Sequence, residues 1–163
     1  MKFKVTDLDL DRLEKETILE AQELFNRPTE TRPYEKIYSN CSVGRPPELF
    51  LKEKAKFTDD TRRYHDVISL CGHSVEVKVR NPGDIKNTLV YLANKRVENG
   101  GYLKSEWVFI FGVSYQDRND PEYRLLGTYK WNSFEYAEAK FDWKAEYEQW
   151  NSLDEDRKFL NNL

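Results

Sequence analysis

Asp66, Glu76 and Lys78 are the residues of this chain whose types and spacing could do chemistry. Asp66 opens one apolar run, Asp66-Val67-Ile68-Ser69-Leu70. After Cys71-Gly72-His73 a second run alternates, Ser74-Val75-Glu76-Val77-Lys78-Val79. Folded back as a β-hairpin, the two runs bring two carboxylates and an ammonium to one sheet edge. Magnesium is a hard ion that takes oxygen ligands and keeps some of its waters. Asp66 and Glu76 would each supply a carboxylate oxygen, and the carbonyl of Val77, lying between Glu76 and Lys78, would supply another. An ion held there lowers the pKa of bound water and neutralises charge developing on a phosphate. Lys78 would orient the attacking water or stabilise the crowded transition state. The trio therefore suits hydrolysis of a phosphodiester, and Mg²⁺ and Mn²⁺ both suit so oxygen-rich a site.

The elements must place these groups. Strand alternation puts Glu76 and Lys78 on one face and Val75, Val77 and Val79 on the other. Upstream, residues 7–25 read as an amphipathic helix with Leu10, Leu13, Thr17, Ala21 and Leu24 on one face. Thr6 or Asp7 is its expected N-cap. Pro28 and Pro33 mark a loop, and residues 34–43 suggest a short strand or an extended arm around Tyr34, Ile37 and Tyr38. Gly44-Arg45-Pro46-Pro47 is expected to start a second helix, because proline fits a first helical turn. Glu48, Leu49, Phe50, Lys52 and Ala55 continue it, and 58–61 reads as a turn before the hairpin of residues 64–79.

Downstream, Asn81-Pro82-Gly83-Asp84 breaks the strand and caps a helix whose stripe is Ile85, Leu89, Leu92 and Ala93. Asn99-Gly100-Gly101 ends that helix. Trp107-Val108-Phe109-Ile110-Phe111 is too apolar for an edge and reads as a central strand covered on both faces. Tyr123 to Trp131 is a further strand. Ser133 onward is expected to be helical, with Ser152-Leu153-Asp154-Glu155 as the capping box of a last helix. The link from 79 to 106 carries a helix, so the second and third strands can be parallel. The predicted architecture is α/β: a four-stranded mixed sheet flanked by helices on both faces, in one domain spanning residues 1–163.

Bulk properties agree with one domain. A chain of 163 residues with 39% hydrophobic and 14% aromatic residues has the apolar surface to build a core. The net charge of -3 is unevenly spread: residues 1–26 and 132–163 together carry -7, whereas 27–131 carry +4. The candidate chemistry thus lies in the positive part, which permits phosphate binding. No apolar stretch approaches the roughly 20 residues of a membrane span. The start lacks a signal peptide's apolar core, and Cys41 and Cys71 make no disulfide framework. These features predict a reduced, cytoplasmic protein with no membrane partner.

Asp66 followed by Glu76-Val77-Lys78 resembles the PD-(D/E)xK nuclease superfamily, the fold of many restriction enzymes and phage nucleases. Its pattern is a helix carrying a glutamate, a hairpin with Asp and then (D/E)xK, a helix, and more strands. The resemblance spans about residues 44–131, and His65 departs from it where the family often has proline. It implies a restriction-endonuclease-like core and a Mg²⁺-dependent nuclease acting on DNA, with Asp66, Glu76 and Lys78 catalytic. Glu48 matches the family's helical glutamate, so the implied metal set is Asp66, Glu76, Val77 and Glu48. Arg45, Arg62, Arg63, Arg80 and Lys86 flank the site and are candidates to clamp backbone phosphates, which fix register without reading sequence. Each site cuts one strand, so a homodimer would cut both.

Plainer readings stand beside these. Glu76 and Lys78 can be a same-face surface ion pair, contributing about 0–1 kcal/mol. Glu48 can be a first-turn acid favoured by the helix dipole. The flanking arginines can be a solvated surface. Cys71 and His73 have no second Cys/His pair to complete a zinc site, so His73 reads as a loop histidine. The functional alternative is a nuclease-fold module without catalysis that binds nucleic acid or a protein partner. A third is an interaction protein using an acidic tail with Trp131, Trp143 and Trp150. The choice between DNA and RNA, and between endo- and exonuclease, is open at this level.

Overall fold

The computed structural model describes residues 1–60, 66–98 and 105–148. Arg62, Arg63, Tyr64, His65, Asn99-Gly100-Gly101, Tyr102, Trp150 and the predicted capping box at Ser152 lie outside the described residues. The strands are β1 (Lys2–Lys4), β2 (Thr58–Asp59), β3 (Val67–Ile68), β4 (Ser74–Val79), β5 (Trp107–Ser114), β6 (Glu122–Trp131) and β7 (Tyr136–Glu138). The helices are α1 (Leu10–Phe25), α2 (Tyr34–Lys54), α3 (Ile85–Glu98) and α4 (Trp143–Glu148). The sheet runs β1-β6-β5-β4-β3-β2, with β7 paired to β6. Among the described residues it has seven strands, which corrects the expected four. The four strands read from the sequence lie side by side within it.

β4 and β5 are parallel, with Val77 opposite Phe109, and α3 is the crossover between them; every other pairing is antiparallel. Alternation on β5 divides the core. Trp107, Phe109 and Phe111 pack with Val75 and Val77 under Leu49, Phe50 and Leu51 of α2. Val108 and Ile110 face the other way, toward Leu92 and Ala93 of α3. The sheet is therefore covered on both faces, as the apolar run in β5 predicts. α1 packs on α2 through Ala21, Leu24, Ile37 and Cys41.

Several local expectations are corrected. Residues 34–43 are helical and run without a break into 44–54. Tyr34, Ile37, Tyr38 and Cys41 recur at the spacing of one helical face, and that face is buried on α1. Pro46 and Pro47 thus sit inside α2 rather than at its start. An interior proline removes the bond to the carbonyl four residues earlier. For Pro47 that carbonyl belongs to Val43, and the Tyr123 hydroxyl donates to it at 3.0 Å. Thr58–Asp59 is a short strand on β3, not a turn. Ser133 does not begin a helix. The Asn132 side chain accepts from the amides of Phe134 and Glu135 at 3.0 and 2.9 Å, Ser133 adopts φ 84°, and the chain returns as β7. At the start, Asp9 rather than Thr6 or Asp7 caps α1, accepting from the Arg12 amide at 3.0 Å.

Candidate active site

The hairpin is closed by a tight turn. The amide of Ser69 donates to the His73 carbonyl at 2.9 Å and that of Gly72 to the Ser69 carbonyl at 2.9 Å. Gly72 has φ +86°, a conformation that strongly favours glycine. β3 pairs with β4 over only two residues, Val67 with Val75 and Ile68 with Ser74. Past that point the β4 edge loses its partner strand, and a side chain replaces it: the Val77 amide donates to Asp66 Oδ2 at 2.7 Å. In an extended strand a residue's N–H and C=O point to the same side. The Val77 carbonyl therefore faces the same open edge as Asp66.

Val75 and Val77 face the α2 core, so Glu76 and Lys78 project from the opposite face, as the alternation requires. Lys78 Nζ lies 2.5 Å from Glu76 Oε1 and 3.9 Å from Asp66 Oδ2. The three residues predicted to act together are together. Glu48 is nearly buried, its side chain 9% exposed, and Arg45 Nη1 reaches its Oε2 at 2.6 Å.

Electrostatics mark these acids as unusual. Burial pushes the Asp66 carboxyl up to about 6. Glu76 and Glu20 add to the rise, and Lys78 and the Val77 amide oppose it. Burial and then the facing Asp66 raise Glu48 well above the usual carboxylate range, against the pull of Arg45 and Lys78. Burial alone would lower Lys78, but Asp66 and Glu76 outweigh it and hold the ammonium above its ordinary value.

Glu48 and Asp66 both line a cleft of about 420 Å³ formed by α1, α2 and residues 59, 60 and 66. Its lining carries seven acidic side chains against the three cations Arg27, Arg45 and Lys52. Among the described residues, no three His, Cys, Asp or Glu side chains are grouped to hold a metal ion; Glu76 is turned onto Lys78. The donor chemistry nevertheless fits a hard divalent cation. Asp66, Glu48 and the Val77 carbonyl offer oxygen alone, and burial disfavours the bare charge on both carboxyls. Such an ion keeps several waters and needs few protein ligands.

The flanking basic residues differ in availability. Arg45 is engaged by Glu48 and Glu20. Arg80 donates from Nε to Thr88 Oγ1 at 3.0 Å and from Nη1 to the Val79 carbonyl at 2.8 Å. Lys86 is exposed in the first turn of α3. Two groups escaped sequence reasoning. Glu20 on α1 meets Arg45 across 25 positions of chain, and no local motif joins them. His73, read as a loop residue, is tied down: Nδ1 is 2.7 Å from Glu106 Oε2 and Nε2 is 3.5 Å from Glu146 Oε1. Glu146 also accepts from the Cys71 amide at 2.8 Å. The far end of the hairpin is thus clasped to α4.

No protein-family model matches the chain, and no curated protein or solved structure is detectably similar to it.

Proposed function

We propose that this chain is a metal-dependent nuclease of the PD-(D/E)xK type that hydrolyses phosphodiester bonds of DNA, with Mg²⁺ or Mn²⁺ as cofactor. The observation that carries the reading is the meeting of Asp66, Glu76 and Lys78 beside the open edge of β4, with Glu48 of α2 lining the same cleft as Asp66. The element order supports it: a helix with a buried glutamate, a hairpin, a crossover helix, a parallel central strand and an antiparallel one. We read this as the restriction-endonuclease-like core with β1, β2 and β7 added around it.

When bound, the ion supplies Lewis-acid stabilisation of the phosphate and an acidified water. The protein's part is positional. The Val77 amide fixes one oxygen of Asp66. Asp66 and Glu48 offer buried negative charge that a cation relieves. Lys78, held protonated by its carboxylate neighbours, acts as a donor to the water or to a phosphate oxygen rather than as a base. Glu76 keeps that ammonium in place.

The test is cleavage of supercoiled, linear and single-stranded DNA with Mg²⁺ or Mn²⁺. Lys78→Ala and Asp66→Ala are expected to lower the rate at least about 100-fold, the scale of losing a transition-state donor. Equal cleavage by wild type and variants would remove the assignment. One observation favours a second reading: the cleft beside the site is strongly acidic, which suits a cationic protein segment better than a phosphate backbone. Absent cleavage in every metal would turn the assignment to a nuclease-fold module that binds a partner.

A further inference from the structure

Resting on that reading of the site, we infer that Glu20 is a positioning residue for Glu48, acting through Arg45. Helix α1 then serves the metal site, although it lies outside residues 44–131, which the nuclease resemblance covers. A glutamate that is to hold an ion must sit in one rotamer, or binding bears the entropy of ordering it. Arg45 does the holding: Nη1 lies 2.6 Å from Glu48 Oε2. A guanidinium is a rigid planar fork, so fixing one edge aims the other. Glu20 fixes that edge, its Oε2 lying 2.6 Å from Nη2 and 3.2 Å from Nε.

All three guanidinium nitrogens are engaged by these two acids, which favours positioning over phosphate clamping as the role of Arg45. Glu20 is itself anchored. Its neighbour Ala21 is buried with Ile37 and Cys41 where α1 meets α2, and the Cys41 thiol bonds the Glu20 carboxylate. Lys52, one turn beyond Glu48, is spent elsewhere: Nζ holds Glu16 and Asp59 at 2.7 and 2.9 Å. The line from Glu20 through Arg45 to Glu48 therefore joins α1 to a carboxyl that lines the same cleft as Asp66. An ion bridge that only fastens two helices would show the same distances. The two roles differ in what a bound ion feels.

The deciding experiment is Mn²⁺ binding to the full chain at pH 8 without DNA, followed by electron paramagnetic resonance. Wild type is expected to bind an ion that Asp66→Asn and Glu48→Gln each weaken. Glu20→Gln, which keeps the shape of a partly exposed side chain, should weaken it about tenfold, the scale of losing a partner that orients a metal-binding group. In an Arg45→Gln background the same change should shift the affinity less than about twofold, because the line is already cut. An affinity that Glu20→Gln leaves unchanged in the wild-type background would mean a structural bridge only. An equal loss with and without Arg45 would mean a charge acting through space. Either result overturns the inference and leaves the site standing. Should Arg45→Gln not fold, the Glu48→Gln background decides by the same comparison. An ion weakened by Asp66→Asn but not by Glu48→Gln takes Glu48 out of the site and overturns the inference alone. No bound ion, or one indifferent to both changes, overturns the site reading and this inference with it.

Discussion

At the scale of single residues, Asp66 is the side chain whose charge state has the largest consequence. Its folded pKa of about 6 exceeds the ordinary aspartate value near 4. A raised acid pKa means that the native state binds the proton more tightly than the unfolded chain. Stability is therefore present at low pH and is lost as pH rises from about 4 through about 6. Two pKa units correspond to about 3 kcal/mol, and partial exposure of the side chain, 27%, reduces the realised cost. Asp66→Asn keeps an oxygen to accept from the Val77 amide and removes the charge. It should stabilise the metal-free protein by about 1–3 kcal/mol at pH 8 and by almost nothing at pH 4, in urea unfolding at the two pH values. A loss at pH 8 would show that the attraction of Lys78 outweighs burial. A group that weakens its own fold in this way is more common at functional sites than in structural cores.

At the scale of elements, α2 shows how a long-range contact overrides a local signal. Pro46 and Pro47 argue for a helix start, yet the helix runs through them for 21 residues. Its first half has a face to bury on α1 and its second half a face to bury on the sheet. The Tyr123 hydroxyl offsets one lost backbone bond by donating to the Val43 carbonyl. Tyr123→Phe should cost about 1 kcal/mol by leaving that half-buried acceptor without its donor. In a Pro47→Ala background, where the helix can satisfy Val43 itself, the same change should cost clearly less. A double-mutant cycle by chemical denaturation measures the difference, and equal costs in the two backgrounds would show that the hydroxyl does not compensate for the proline. The hairpin is a second case. Its short pairing with β3 leaves the β4 edge open for Asp66, and its far end is clasped through His73 to Glu106 and Glu146.

At the scale of the whole molecule, the two ends of the described chain close the sheet that the middle begins. β1 pairs with β6, Lys2 opposite Arg124. Phe3 stacks on Phe50 of α2 at 4.2 Å between centroids and on Tyr123 of β6 at 5.2 Å. Phe3 therefore joins the first strand, the site-bearing helix and the far edge of the sheet in one core. Phe3→Ala should cost about 3–5 kcal/mol, the range for emptying a buried aromatic position, read as a shift in the urea midpoint. A cost under about 1 kcal/mol would mean that β1 is an appendage. Among the described residues no helix is long and apolar enough to cross a membrane.

Features that depend on near neighbours are legible in the order of the residues. Alternation in Ser74–Val79 places Glu76 and Lys78 on one face. The apolar run Trp107–Phe111 sets a strand buried on both sides. The interval from 79 to 106, with its Asn81-Pro82 break and its helical stripe, requires a crossover and hence parallel strands. Periodicity, turn chemistry and chain length carry all three, and each is written in consecutive residues. Features that depend on distant partners come from the folded chain alone. Residues 34–43 are helix because α1 offers them a surface, and Tyr136–Glu138 is a strand because β6 has an edge to extend. Lys2–Lys4 joins the sheet for the same reason. Glu20 reaches Arg45 because two helices pack side by side, and neither the spacing nor the composition of the chain encodes that meeting. Burial, which raises Asp66 and Glu48 above their usual range, is likewise a property of the folded surroundings and not of either residue's neighbours in sequence.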